Sequence, residues 1–327
     1  MRNVMLNGSK IFLCSWIMFS ILGCKPSQPA SPTASLALGT LKQCQSYQGL
    51  PQDWGSLATS GMVWIPAGEI ILGSQHGYPD EKPFSQQPQQ VSGFWADQTE
   101  VTVAQFKSFV DATGYVTEAE KQKVAAVFIA PQQPQTDPMK WWQLQQNISW
   151  KHINGTIPPP HHPVRYITYN DALAYATWLG RDLPSELENE YMAKGFSQQQ
   201  DIGPEHNGQL NANYWQGQFP HQNTQIDGFS DVAPVGCFQA NPFGLHDIIG
   251  NLWEWTKSPY IGAHSDGHMG RPEATRAQRA AMIMVIKGGS FLCADNYCAR
   301  YRAAARHPQE FDLATSHVGF RTIRRAP

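Results

Sequence analysis

Charge is scarce in this 327-residue chain. Charged residues make up 15% of it, and 24 basic side chains stand against 26 acidic ones, for a formal net charge of −2. That balance builds no basic face, so nucleic acid is excluded as a partner. Cysteine is scarce too, at six residues. Long apolar runs are missing: Ile11 to Leu22 is too short to span a bilayer. No internal repeat and no second shift in composition occurs along the main body, which argues for one domain. Loop formers and aromatic rings are plentiful instead. Eleven Trp, 27 Gly and 24 Pro point to a loop-rich fold pinned by aromatics rather than a helical bundle. The 41% hydrophobic content is enough for a real core.

The N-terminus reads as a targeting segment. Arg2 and Lys10 give a positive start ahead of the apolar stretch. Ile21-Leu22-Gly23-Cys24 then resembles the bacterial lipoprotein signal, in which the cysteine is lipidated and becomes the new N-terminus. The likeness implies a signal peptide over 1–23 and a lipid on Cys24. With Lys25 rather than Asp next in line, it implies anchoring in the outer membrane, facing the periplasm. A plain secretory peptide with an incidental cysteine is the alternative. Residues 24–57 read as a tether, because the Pro-, Ser- and Ala-rich stretch from Lys25 buries no core. The domain is expected over 58–327. Export permits disulfides. Cys44, Cys237, Cys293 and Cys298 then remain, and four cysteines allow three pairings. If 293 and 298 close a small loop, Cys44 and Cys237 can form the other bridge and tie the N-terminal segment to the domain.

Local patterns predict few regular elements. Residues 62–73 read as two short strands around a Pro-Ala-Gly turn. Thr102 to Ala112 reads as a helix with Phe106, Phe109 and Val110 on its apolar stripe and Gly114 as its stop. Thr168-x-x-Asp171 predicts a capping box that opens a helix to Leu179, and Ser185-x-x-Glu188 opens another through Lys194. Residues 196–280 read as polar, aromatic and irregular. Val285 to Lys287 and Gly319 to Arg324 read as late strands.

The most informative stretch is Lys-Gly-Gly-Ser-Phe-Leu-Cys-Ala-Asp-Asn-Tyr-Cys-Ala-Arg-Tyr-Arg, residues 287–302. Cys293 and Cys298 are five positions apart, so on a straight strand they face opposite ways. Convergence requires a turn, and Ala294-Asp295-Asn296 supplies turn formers. Two thiolates alone suit Cu(I), which is soft and accepts few ligands; zinc wants four, and no second Cys/His cluster lies nearby in the sequence. A structural disulfide, or two packed thiols, is the competing reading.

Several blocks arrive in a recognisable order: Val-Trp-Ile-Pro-Ala-Gly-Glu at 63–69, Glu-Val-Thr at 100–102, Thr-Gly-Tyr-Val-Thr-Glu-Ala-Glu at 113–120 and His-Pro-Val at 162–164. Leu-Pro-Ser-Glu follows at 183–186, Asn-Tyr-Trp-Gln-Gly-Gln-Phe-Pro at 213–220, Gly-Asn-Leu-Trp-Glu-Trp-Thr at 250–256, then the cysteine run and Gly-Phe-Arg at 319–321. Over about residues 60–325 the chain resembles the formylglycine-generating enzyme (sulfatase-modifying factor) family. The resemblance implies an α+β fold, an irregular relative of the C-type lectin fold with little regular secondary structure. It implies a copper-dependent protein-cysteine oxidase that uses O2 and a thiol reductant. The substrate would be a cysteine in a Cys-x-Pro-x-Arg segment of an unfolded sulfatase, and the protein would act as a monomer.

Carried over, Cys293 and Cys298 hold Cu(I), Ser290 orients or polarises oxygen species beside it, and Tyr297 borders the same pocket. A first Ca2+ set falls on the side chains of Asn213 and Asp227 with the carbonyls of Tyr214 and Phe229. A second falls on Asp247 and Glu254 with the carbonyls of Gly250 and Leu252, as a hard cation wants oxygens. The alternative is that Asp227 and Glu254 merely cap turns. At least one of Trp253 and Trp255 is expected in the core. Arg300, Arg302, Arg306 and Arg321 are expected in buried ion pairs, and His162 and His246 as structural histidines.

The chain also departs from the family. Ala176 with Thr322, and Ala193 with Ala303, stand where animal members carry two disulfides. Ala294 replaces a histidine, and Asn189 replaces a tryptophan, which would alter substrate preference if that ring shapes the peptide groove. The superfamily includes sulfoxide synthases, whose N-terminal helical domain is missing here, and non-catalytic modules. The runner-up reading is therefore a lectin-like lipoprotein that binds peptide or glycan, with residues 293 and 298 bridged.

Overall fold

Capping chemistry sets most of the helices in the computed structural model. It describes residue 1 and residues 36–83, 85–133, 137, 140–153, 155–197, 201–263 and 283–325. The segment expected to be a signal peptide, beyond residue 1, and Cys24 lie outside the described residues. Among the described residues the helices are α1 (Leu41–Ser46), α2 (Val103–Thr113), α3 (Glu118–Gln122), α4 (Tyr169–Trp178) and α5 (Glu186–Lys194). Thr102, Thr117, Thr168 and Ser185 open α2 to α5, each paired with a Gln, Glu or Asp three residues on in a reciprocal capping box. Gly114 ends α2 at φ 68°, a left-handed stop that glycine adopts without strain. The expected helices are present. α3 has no counterpart among them, because five residues are too few to carry a 3.6-residue period.

Short strands fill the rest. Met62–Ile65, Phe94–Asp97 and Ile323–Arg325 form one sheet in that order. Arg306–Glu310, Ile283–Lys287, Trp253–Pro259 and Val318–Gly319 form a second. Three two-stranded ribbons join Gly68–Ile70 to Gln89–Val91, Val124–Phe128 to Trp142–Gln146, and Glu205–His206 to Gln209–Leu210. The two strands read at 62–73 exist, but they pair with different partners. Trp253–Pro259 corrects the expectation of an irregular 196–280 region. Its first four residues are all buried, so the alternation that announces a strand is absent.

Two cores sit against these sheets. In one, Phe106, Tyr175 and Phe320 contact one another ring to ring between α2, α4 and the second sheet, with Trp255 and Cys293 in the same cluster. In the other, Tyr191 and Met192 of α5 pack on Ile65, Phe94 and Ile323. His317 sits beside Trp142, and burial, then the nearby His307, push its pKa down to about 3. The unfolded chain titrates it near 6.5. The stability it contributes is therefore present above pH 6.5 and is lost as pH falls toward 3. Urea midpoints should drop between neutral pH and about pH 4, and His317→Gln should flatten that slope. An unchanged slope in the variant would refute the assignment.

The tether boundary is also corrected. Residues 36–57 belong to the folded unit, which runs from Pro32 to Pro327. α1 lies here, and its Cys44 is fully buried in a disulfide with Cys237. The Gly39 N–H donates to the Gly236 carbonyl at 2.8 Å, and Thr102 Oγ1 donates to the Gly49 carbonyl at 2.6 Å. The stretch is not poor in apolar residues, and Trp54 packs against the main core. A covalent link and hydrogen bonds hold it as well, and neither of these leaves a pattern in the sequence.

Candidate functional site

The strand Ile283–Lys287 ends in Gly288 and Gly289, at φ 92° and 85°. A Cβ on Gly289 would lie 2.3 Å from the Arg300 carbonyl oxygen, so only glycine lets the chain pass its own return. The chain then folds back twice. The Cys293 N–H donates to the Ser290 carbonyl at 2.9 Å, and the Tyr297 and Cys298 N–H groups donate to the Ala294 carbonyl at 3.2 and 3.0 Å. The predicted turn at 294–296 thus exists and turns both side chains toward one point. Trp215 fixes the loop from outside, its N–H donating to the Cys293 carbonyl at 2.9 Å.

The two sulfurs are 3.7 Å apart. A disulfide needs about 2.05 Å, so the pair is unbridged. None of the three two-bridge patterns open to the four cysteines is complete: Cys44 is bonded to Cys237, and Cys293 and Cys298 are free. Cys293 is 2% exposed and Cys298 is partly exposed. Burial, then the neighbouring sulfur, push the Cys293 thiol well above its usual range. The hydrogen bond from Cys293 and then the Arg300 guanidinium lower Cys298. Of the two thiols, Cys298 is thus the one that ionises more readily.

Ser290 and Tyr297 come to the same place. Ser290 is fully buried; its N–H donates to Cys293 Sγ at 3.4 Å and its Oγ accepts from the Leu292 N–H at 3.3 Å. The Tyr297 ring stacks on Phe219 at 4.8 Å and meets Trp141 edge-on at 5.2 Å. Its phenol is pushed up by burial and by both sulfurs. A clamp follows Cys298. Arg300 makes two 2.9 Å bonds to Asp80, one of 3.0 Å to Glu81, and lies over the Tyr78 ring. Tyr78 Oη accepts from the Ala299 N–H at 3.1 Å, and Arg302 pairs with Glu81 and Asp201. No sequence signal joins residue 80 to residue 300. An acidic stretch opposite the Arg-Tyr-Arg run was the only available hint.

The remaining site residues divide. Arg306 pairs with Glu186 at 2.7 Å and Arg321 with Glu254 at 2.6 Å, so all four arginines are in ion pairs. Trp253 and Trp255 are both core residues, and Trp255 Nε1 donates to the Ile167 carbonyl. His246 Nδ1 lies 2.8 Å from the Phe238 carbonyl. His162 is held down to about 4 by burial and then by His161. Asn189 is buried and donates to Glu254 at 3.3 Å, which makes it part of the interior rather than a groove wall. Ala294 is fully buried among Trp215, Phe291 and Leu292.

The two expected oxygen sets are both engaged in hydrogen bonds within the protein. Asp227 accepts from the Tyr214 and Phe229 N–H groups at 3.1 and 2.9 Å, which is the turn-capping role. Its Oδ2 and the Tyr214 carbonyl also converge on one donor, the Gln216 side-chain amide. Burial pushes its carboxyl up. Asn213 Nδ2 donates to the Asp231 carbonyl and to Asn251 Oδ1. In the second set Asp247 Oδ2 accepts from the Gly236 N–H, while its Oδ1 is buried with no partner. Both Glu254 oxygens are taken by Arg321. Gly250, at φ 79°, passes so close that a Cβ would sit 2.5 Å from the Asn213 carbonyl, and the Leu252 N–H donates to Glu100. Glu100 opens the Glu-Val-Thr block, but the sequence gives it no role. It is fully buried, and burial, then Asp247 and Glu254, push its carboxyl well up. Three carboxyl groups thus share one arginine in the interior, and Glu100 and Asp247 are both driven toward their neutral forms by burial. Among the described residues no group of three or more His, Cys, Asp or Glu side chains forms a metal cage by itself.

Short strands and capped helices, wrapped around two free and converging cysteines, define an irregular α+β protein with a dithiol centre. The chain matches the family described as Sulfatase-modifying factor enzyme 1-like domain over residues 48–326, and it belongs to that family. It is 38% identical over 295 residues to the formylglycine-generating enzyme of Mycobacterium tuberculosis, covering 80% of this chain and 97% of that protein. It is 36% identical over 321 residues to the formylglycine-generating enzyme of Mus musculus, covering 91% and 84%. It is also 32% identical over 287 residues to the "Inactive C-alpha-formylglycine-generating enzyme 2" of Bos taurus, covering 82% and 89%. The solved structure of PvdO from Pseudomonas aeruginosa shares the fold, with a TM-score of 0.58 at 22% identity over 86% of this chain and all of that one. The fold expected from the sequence blocks is the one the chain adopts.

Proposed function

We propose that this protein is a formylglycine-generating oxidase. It would convert the cysteine of a Cys-x-Pro-x-Arg segment in an unfolded sulfatase to formylglycine, with O2 as oxidant. The observation that carries the reading is the pair of free sulfurs 3.7 Å apart in one turn. It occurs in a chain 36–38% identical to enzymes named for that product. Two soft donors, joined by no third Cys or His among the described residues, fit Cu(I). When bound, copper supplies a site for the substrate thiolate and for dioxygen. In the balanced reaction, O2 accepts two electrons from the substrate and two from an external thiol pair. The sulfur leaves as hydrogen sulfide, one oxygen ends in the aldehyde and the other in water, and the thiol pair becomes a disulfide.

The protein's own groups do the positioning. Cys298, the more exposed sulfur, faces the incoming segment, and Cys293 anchors the centre from the interior. Ser290 offers a hydroxyl beside Cys293. Tyr297 keeps its proton at neutral pH and, with Phe219 and Trp141, forms an apolar wall along which an extended segment lies. Ca2+ would sit on Asp227 and the Tyr214 and Phe229 carbonyls after Gln216 withdraws, with Asn213 closing the set. A second ion would bind through Asp247 and the Gly250 and Leu252 carbonyls, next to the Glu254–Arg321 pair.

The disulfide at Cys44 fits an exported protein lipid-anchored at Cys24 in the outer membrane and facing the periplasm, where it would act as a monomer. No helix among the described residues is long and apolar enough to cross a membrane. The second reading, a non-catalytic lectin-like lipoprotein that binds peptide or glycan, draws on the inactive Bos taurus relative. The test is to load the reduced chain with Cu(I) and incubate it with a Cys-x-Pro-x-Arg peptide, O2 and a thiol. An aldehyde trapped by a hydrazide probe is expected. Tight copper binding with no aldehyde from any peptide would establish the second reading instead.

A further inference from the structure

A cavity of about 810 Å3 opens beside the cysteine turn and is separate from the wall formed by Tyr297. Glu205, Tyr214, Trp215, Ile226, Asp295 and Tyr301 carry its character. It shares structure with the dithiol centre. Asp295 lies in the turn between the two cysteines, and Trp215 is the residue whose N–H holds the Cys293 carbonyl. Tyr301 packs in the same cluster as Cys293 and Cys298 and also lines the cavity.

The chemistry of the lining is one-sided. It has two carboxylates, Glu205 and Asp295, and no basic side chain. The neighbouring Arg300 and Arg302 are committed to Asp80, Glu81 and Asp201, and among the described residues Glu205 and Asp295 form no ion pair. The Tyr214 and Tyr301 rings face each other at 4.4 Å, and Ile226 at the rim is 73% exposed. The two tyrosines thus present ring surface to the cavity. Aromatic faces rimmed by unpaired carboxylates suit a guanidinium or ammonium on a partly apolar stem. They repel an anionic ligand.

We propose that this cavity is a second recognition subsite for the polypeptide substrate, holding an arginine or lysine side chain that lies outside the Cys-x-Pro-x-Arg segment. The inference rests on the oxidase reading for the identity of the substrate. Because the cavity shares a wall with the cysteine turn, the basic residue would follow or precede the reacting cysteine by a short extended stretch. Such a subsite would select among sulfatase chains that share the same core segment.

Binding and turnover separate the two claims. Fluorescent peptides with Ser in place of the reacting Cys are titrated against the full chain and read by anisotropy. One has neutral flanks, and two others carry an arginine pair on either flank. One basic flank should tighten binding about tenfold, and the gain should shrink with salt. In Glu205→Gln combined with Asp295→Asn that preference should disappear. Glu205→Lys, a surface change that spares the turn, should reverse it toward acidic flanks. No preference in the unaltered chain, or the same preference in the variants, would overturn the inference. The aldehyde assay on the neutral-flank peptide judges the oxidase reading separately. If that assay fails while the charge preference persists, the oxidase reading falls and the cavity stands as a peptide-binding site.

Discussion

Cys298→Ser is expected to lower aldehyde formation on a Cys-x-Pro-x-Arg peptide by at least about a thousandfold, while the fold survives. A hydroxyl is nearly isosteric with a thiol but is a hard, protonated donor that holds Cu(I) poorly. Cys298 is partly exposed, so the substitution costs little packing. The turn that carries it depends on the Ala294 carbonyl and on the Arg300 clamp, both of which are untouched. Cys293→Ser should lose the same activity with a larger stability cost, because that side chain is 2% exposed and sits in the main core. Peptide turnover and thermal melts together check this. Either variant keeping more than about a tenth of the activity would remove the dithiol from the mechanism.

Removing the Cys44–Cys237 bridge should produce the largest change in stability. The link closes a span of 193 residues. On the chain-entropy account, that constraint on the unfolded state is worth about 5 kcal/mol, an upper figure because residual structure lowers it. Cys44→Ser with Cys237→Ser also places hydroxyls where Cys44 is fully buried. The hydrogen bonds at Gly39 and Gly49 remain, but few apolar contacts replace the lost link. Urea unfolding should show a fall of several kcal/mol, with early local release of residues 36–57 visible by hydrogen exchange. A loss below about 1 kcal/mol would mean that the segment is held by packing alone.

These two sites differ in how far the sequence revealed them. The cysteine turn was legible because its parts are local: the Gly-Gly, the serine, the turn formers and both thiols lie within one short run. The helices α4 and α5 were legible for the same reason, each box spanning four residues, whereas the Thr117 box that opens α3 was not read. The ion pairs of Arg300, Arg302, Arg306 and Arg321 could be expected as a class, but their partners could not. Asp80 lies 220 positions from Arg300, and no periodicity connects them. Glu100 could be placed in the Glu-Val-Thr block, but nothing local announces that it is fully buried against Asp247, Glu254 and Asn251. The docked segment 36–57 was misread because the linker-like composition of the stretch before it was extended across it, and its covalent attachment spans 193 positions. The strand Trp253–Pro259 was hidden because it is buried on both faces at its start, so alternation never appears.

The central claim is that one copper ion, held by Cys293 and Cys298, makes this chain an oxidase. The direct test is to titrate Cu(I) into the reduced, metal-free chain and follow aldehyde yield on a Cys-x-Pro-x-Arg peptide under O2 and thiol. The account predicts no aldehyde without metal, a linear rise, and a plateau at one copper per chain. Undiminished aldehyde in the presence of a strong Cu(I) chelator, or none at any loading, would contradict it.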